Sequence, residues 1–257
     1  MPKKRTTEGF IKKDWENYLP SVSIDHVIFG FDDNKLKVLL LQVKGMEKWV
    51  LPGGFILRNE ELDTAAARIL NTRTGLKTPY LQQFHVFGST KRQNTNTLRD
   101  ILKQGGFAIP DESWLMQRFI TLGYYVLVDY NKVSPQPDAF SSQCAWHSLD
   151  ELPVLLFDHK EIVAKALHAL RLVLNYQPIG YNLLPKEFTL KNLQVIYETI
   201  LGKKLDRSNF NRKILSYGIL QKKEKQFSGG AHKAPFLYTF DKEAYFKALQ
   251  VGLKSDF

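Results

Sequence analysis

The stretch from Gly54 to Leu76 does most to limit what this chain can fold into. It reads Gly54-Phe55-Ile56-Leu57-Arg58-Asn59-Glu60, then seven residues, then Arg68-Ile69-Leu70-Asn71-Thr72-Arg73-Thr74-Gly75-Leu76. Trp49-Val50-Leu51-Pro52-Gly53 precedes it. The Pro-Gly-Gly run breaks regular structure, and a helix is predicted over Asn59–Thr74. Gly75 stands where a C′ glycine ends a helix in the left-handed conformation. On that helix Ile69, Thr72 and Arg73 are spaced i, i+3, i+4 and share one face.

Around this helix the pattern alternates strand and turn. Ser21–Phe31 and Lys35–Val43 read as a hairpin about Asp32-Asp33-Asn34. Tyr80–Phe87, Arg118–Tyr130 and Gln143–Ser148 read as further strands. Residues 89–115 read as a polar, irregular excursion, too long to be an ordinary connection. Asp158 opens a helix to about Asn175, with Ile162, Val163, Ala166, Leu167, Leu170, Val173 and Leu174 at helical spacing.

Charge divides the chain. Of the net +10, residues 176–257 carry +7, from 14 Lys/Arg against seven Asp/Glu, whereas residues 21–175 are nearly neutral. A basic segment of this size faces a polyanion more readily than an acidic or apolar partner. A single cysteine, Cys144, excludes an intrachain disulfide and fits a reducing compartment. No signal peptide or membrane span is read, so a cytoplasmic protein is expected.

The basic segment has an order of its own. Thr189 is placed to cap a helix over Leu190–Leu201 that ends at Gly202. A short helix over about Arg207–Tyr217 follows, then strands at Ile219–Lys223 and Pro235–Phe240 joined by a tip at Ser228-Gly229-Gly230. Helix, turn, helix and β-hairpin make a winged helix. Phe210, Ile214 and Tyr217 would face its core. That turns Ser208, Asn209, Arg212 and Ser216 outward, with Arg207, Asn211 and Lys213 beside them. Asparagine reads adenine and arginine reads guanine in the major groove. Lys222, Lys223, Lys225, His232 and Lys233 on the hairpin suit phosphate contact.

The first segment resembles the Nudix box, Gx5Ex7REUxEExGU with U aliphatic. Gly54, Glu60, Arg68, Leu70, Gly75 and Leu76 fall in register; the three metal-binding glutamates are replaced by Ile69, Thr72 and Arg73. Mg²⁺ takes hard oxygen ligands, so neither a metal nor a catalytic residue is expected here, and no cofactor. With Pro185–Glu198, Asn209–Lys213 and Pro235–Tyr238, the chain is similar to the Nudix-related transcriptional regulators. The resemblance implies an α/β Nudix fold, a mixed sheet between helices, followed by a winged helix-turn-helix domain. The implied parts are a tail over 1–20, a Nudix-like sensor over 21–176, a linker over 177–188 and a DNA-binding domain over 189–257.

A ligand-responsive, homodimeric regulator of a palindromic double-stranded DNA operator is therefore expected, with no membrane partner. Family members answer to ADP-ribose or to pentoses such as arabinose. The segment Pro178–Pro185 resembles the sugar-responsive branch, which favours a pentose or sugar phosphate as effector. Trp49, Phe55, Arg58, Arg118, Tyr124, Asp158 and His159 are the candidate pocket residues, aromatics for stacking and arginines for phosphate. The alternative is an active hydrolase with a rebuilt metal site using Glu60, Glu61 and Asp63.

Overall fold

The structure, a computed structural model, describes residues 15–76, 80–92, 95–104, 106, 110–138, 140–225 and 234–253. It forms two compact units, one of residues 1–30 with 37–166 and one of 31–36 with 167–257. The division falls at 166/167, upstream of the linker expected at 177–188.

In the first unit, strands β1 (Tyr18–Asp32), β2 (Lys35–Val43), β3 (Trp49–Val50), β4 (Gly53–Leu57), β5 (Gln82–Phe87), β6 (Ile120–Asp129) and β7 (Ser141–Ser148) form one mixed sheet. Its order is β3-β2-β1-β6-β5, with β4 also pairing β1 and β7 pairing β2. Asp33 and Asn34, at φ 47° and 56°, make the tight turn between β1 and β2; such paired left-handed residues match the twist of a hairpin. Opposite β4, Ser23 pairs with Phe55, Ile24 with Gly54 and Asp25 with Gly53.

Because strand side chains alternate, residues 24, 26 and 28 of β1 face the helix α1 (Leu62–Thr74). Ile24, Ile56, Ala65, Ala66, Ile69 and Tyr124 form one cluster there, and Ile28, Leu39, Leu70, Val126, Val128 and Val133 another. Gly75 ends α1 at φ 73°. The opposite face is covered by the excursion and by the start of α3 (His159–Val173).

The excursion is not irregular. It holds α2 (Thr95–Gln104) and a 3-10 turn at Trp114–Met116. Leu98, Ile101 and Leu102 sit at i, i+3, i+4, the helical spacing, and pack with Leu115, Met116, Phe140 and Leu156. Intervening polar residues mask this short apolar stripe in the sequence.

In the second unit, α4 (Leu190–Leu201) starts at a Thr189/Asn192 capping box and ends at Gly202, φ 67°. Then come α5 (Arg207–Ser216), β8 (Leu220–Lys225), β9 (Phe236–Phe240) and α6 (Lys242–Val251). Phe188 pairs with Tyr238 as a one-residue third strand. The helix α6, absent from the sequence reading, is capped by Asp241. Its Tyr245, Ala248 and Leu249 form the core with Ile219 and Leu253. The wing tip expected at Ser228–Gly230, and with it His232 and Lys233, lies outside the described residues.

His26 lies wholly buried under α1, and burial, helped by the nearby Arg73 charge, lowers its pKa to about 4. The unfolded chain takes up that proton from near pH 6.5 downward and the folded chain does not. Stability is therefore lost as pH falls from 6.5 toward 4, by about 3 kcal/mol for this group. Urea unfolding at pH 7.5 and 5.0 should show His26→Leu losing markedly less stability on acidification than the wild type. Equal losses in the two proteins contradict this assignment.

Candidate functional site

At Asp25 the strand β1 ends its pairing with β4, and the next residue, His26, bonds through its N–H to the Pro52 carbonyl at 2.8 Å. A buried polar cluster fills this fork on the face away from α1. Arg92 grips Asp158 with two hydrogen bonds, Nε to Oδ2 at 2.5 Å and Nη2 to Oδ1 at 2.9 Å. The same guanidinium donates to Thr121 Oγ1, and Thr121 shares a 2.6 Å hydrogen bond with Ser23. His159 Nδ1 accepts the Leu51 N–H at 2.9 Å, which leaves Nε2 toward Asp25, 3.7 Å away. Arg92 stands 3.8 Å from the same Asp25 carboxylate.

Asp25 thus faces Arg92 and His159 but holds both at long range. Burial pushes its carboxyl above the ordinary range, against the lowering influence of His159 and Arg92. Burial also holds the His159 imidazole below its usual value, against the raising influence of Asp25 and Asp158. A Cβ at Gly53 would run into an Asp25 carboxylate oxygen and lie 2.8 Å from the Ile24 carbonyl oxygen, which reserves that position for glycine.

Beside this cluster stands an aromatic group. Phe55, directly across from Ser23, meets Trp114 at 5.2 Å, Phe119 at 5.7 Å and Tyr18 at 5.9 Å between ring centroids. Tyr18 opens β1, Trp114 lies in the excursion and Phe119 just before β6. Flat apolar rings adjoining hydrogen-bonding charges make a surface that can take both a ring system and polar substituents.

Of the expected pocket residues, Phe55, Asp158 and His159 fall in this region. Tyr124 lies on the other face of the sheet, under α1, its hydroxyl donating to Asp63 at 3.0 Å. Trp49 is buried against His147, ring centroids 4.3 Å apart. Arg58 ties the chain start through a 2.6 Å bond to the Glu16 carbonyl. Arg118 is exposed, near the Gly88 carbonyl. Sequence reasoning missed Ser23, Asp25, Arg92 and Thr121; the one available sign was a lone aspartate inside the apolar run of β1.

The three box positions that carry no glutamate are held in three ways. Ile69 is buried in the α1 cluster; a Cβ on Gly54 would sit 3.1 Å from its Cγ1. The Thr72 hydroxyl bonds back to the Arg68 carbonyl. Arg73 pairs with Asp138 at 3.1 Å. Glu60 binds Arg68 through both oxygens at 2.7 Å, and Arg68 holds the Phe55 carbonyl at 2.9 Å. That contact with Arg68 lowers the Glu60 pKa, and the pair ties the β4–α1 loop to the helix. Among the described residues no group of three or more His, Cys, Asp or Glu could hold a metal ion, and no helix is long and apolar enough to cross a membrane.

In the second unit the turn before α5 is fastened by Glu198. Its carboxylate accepts the Leu205 N–H at 2.9 Å, Lys204 Nζ at 3.0 Å and Gln194 Nε2 at 3.0 Å. Asp206 caps α5 by accepting the Asn209 N–H at 2.8 Å. Ile214 is buried and Phe210 packs on Tyr197, so Arg207, Ser208, Asn209, Arg212 and Lys213 are exposed together. Arg212 Nη2 reaches Asn209 Oδ1 at 3.1 Å. Asn211 is half-buried with its side-chain oxygen enclosed, a placement that takes the oxygen away from the reading face. On the wing, Lys222 and Lys223 are exposed, and Lys222 lies 3.6 Å above the Phe236 ring.

Residues 20–170 match the family model for the NUDIX domain, and residues 180–240 match that for the NrtR DNA-binding winged helix domain. An ADPR responsive transcriptional repressor, NtrR of Acinetobacter baylyi, is 29% identical over 233 residues, 88% of this chain and 84% of that protein. The crystal structure of Shewanella oneidensis NrtR complexed with a 27mer DNA is 26% identical, with a TM-score of 0.67 over 88% of this chain and 95% of that one. A MutT/nudix family protein from Enterococcus faecalis shares the fold at 22% identity, TM-score 0.62, over 87% of each chain. The chain belongs to the Nudix family and joins that domain to an NrtR-type DNA-binding winged helix, the architecture of the Nudix-related transcriptional regulators.

Proposed function

We propose that the chain is a transcriptional repressor whose DNA affinity is set by an ADP-ribose-class ligand bound in its Nudix domain, without turnover. The observation that carries this reading is the state of the box helix. The scaffold is intact, yet Ile69, Thr72 and Arg73 stand where the metal ligands would be. The exposed row on α5 supports the DNA-reading half. The linker likeness favoured a pentose; the Acinetobacter relative, which spans both domains, is named for ADPR, and we follow it. The aromatic group at Phe55 suits a stacked base, and Arg92, Asp25 and His159 suit ribose hydroxyls and phosphate oxygens.

Acting as a homodimer, two copies of α5 would read half-sites about one helical turn apart. Footprinting on the DNA next to the chain's own gene should show specific protection at moderate salt. Arg212→Ala should cost about 1–3 kcal/mol and relax specificity, whereas Lys222→Ala should weaken all sequences alike. Equal affinity for random and neighbouring DNA would falsify the regulator reading.

A thermal-shift panel tests the effector. ADP-ribose should stabilise the protein, arabinose and xylose should not, and Phe55→Ala and Asp25→Asn should each reduce the ADP-ribose shift. A pentose that stabilises while ADP-ribose is silent moves the assignment to a sugar. Incubation with ADP-ribose and Mg²⁺ should release no AMP; release that disappears in Glu60→Gln restores the hydrolase alternative.

A further inference from the structure

The family's box implies a divalent cation, and the residues of this chain do not fit one. One of them goes further than failing to bind. The Arg73 guanidinium lies between two oxygens, donating from Nη2 to the Gly53 carbonyl at 3.3 Å and pairing with Asp138 Oδ2 at 3.1 Å. The surroundings are built to hold these oxygens still. Asp138 Oδ1 accepts the Phe140 N–H at 2.9 Å and the Ser141 hydroxyl at 2.6 Å, which turns Oδ2 toward Arg73. The loop carrying Asp138 is stitched along the end of α1 by Ser134 N–H to the Thr74 carbonyl and Gln136 N–H to the Arg73 carbonyl. Gly53 is fixed by its pairing with Asp25 on β1.

The Arg73 Nε–H is buried and has no acceptor among the described residues. The guanidinium is also mostly buried, its side chain 17% exposed against 18% for Asp138. A positive charge is thus kept between a backbone carbonyl and a carboxylate, at one of the positions that the box assigns to a metal ligand.

We propose that Arg73 is the resident cation of a retained cation seat, whose remaining arms are the Gly53 carbonyl and Asp138. The chain's own side chain replaces the divalent ion, and the domain is metal-independent by occupation as well as by loss of glutamates. A shortened anionic side chain at 73 would leave three oxygen donors on a hard-cation site.

The test uses full-length protein stripped of divalent ions, with Mn²⁺ as the probe, read by thermal shift and by the electron paramagnetic resonance signal of free Mn²⁺. The wild type should show no Mn²⁺-dependent shift. Arg73→Glu should be less stable without metal, regain stability saturably with one Mn²⁺ per chain, and lose that rescue in the Arg73→Glu, Asp138→Asn double variant. Arg73→Gln, which keeps the fold under less charge repulsion, should bind Mn²⁺ about tenfold more weakly than Arg73→Glu. Saturable Mn²⁺ binding by the wild type overturns the proposal. So does Mn²⁺ silence in both single variants, the outcome expected of a clamp that only stitches the loop. None of these readouts involves ADP-ribose, so they stand or fall separately from the effector assignment.

Discussion

The strand β1 carries more than one partner can cover. It pairs with β2 and β6 in the sheet, and its first half pairs also with β4, a pairing that ends at Asp25. Backbone groups at such a fork must find partners elsewhere. The His26 N–H finds the Pro52 carbonyl, and the Leu51 N–H finds His159 Nδ1. Strand alternation then decides the chemistry on each side. Ile24 and Ile28 of β1 make the hydrocarbon contact with α1, and Ser23 and Asp25 look the other way, into the cluster with Arg92, Thr121 and His159.

That division separates the box helix from the polar cluster. Of the three box positions that carry no glutamate, Ile69 is core, whereas Thr72 is exposed and Arg73 is paired with Asp138. A buried isoleucine contributes roughly 1.5–3 kcal/mol where an unpaired glutamate would cost stability. Glu60 and Arg68 still tie loop to helix. The polar cluster on the other side survives because it is paired: Arg92 is bonded to Asp158 twice and to Thr121 once. The excursion that delivers Arg92 also delivers Trp114 to Phe55, so one segment contributes to both halves of the candidate site.

Much of this was legible in the sequence, and what was not has physical causes. The helix α4 is predicted to its last residue because Thr189 and Gly202 are local signals that do not depend on the rest of the fold. The β1–β2 turn is readable for the same reason. The helix α2 was hidden because only three apolar residues mark it within a polar run, and α6 because its apolar positions follow directly on a strand. Site membership is the hardest to read. Tyr124 and Thr121 lie three residues apart on β6 and point to opposite faces, a distinction that composition does not carry. Arg92 and Asp158 meet across 66 residues, and nothing local to either announces the pairing.

A ligand-responsive regulator makes its two domains parts of one equilibrium, and linkage gives the most direct test. If one ligand biases the DNA-competent state, the factor by which ADP-ribose changes operator affinity must equal the factor by which operator changes ADP-ribose affinity. Operator Kd can be measured by fluorescence anisotropy with and without saturating ADP-ribose, and ADP-ribose Kd by calorimetry on free and operator-bound protein, all without divalent metal. The account predicts two equal factors, each about fivefold or more, the lower range of common coupling energies. Tight ADP-ribose binding that leaves operator affinity unchanged contradicts it, since a ligand with equal affinity for both states shifts neither.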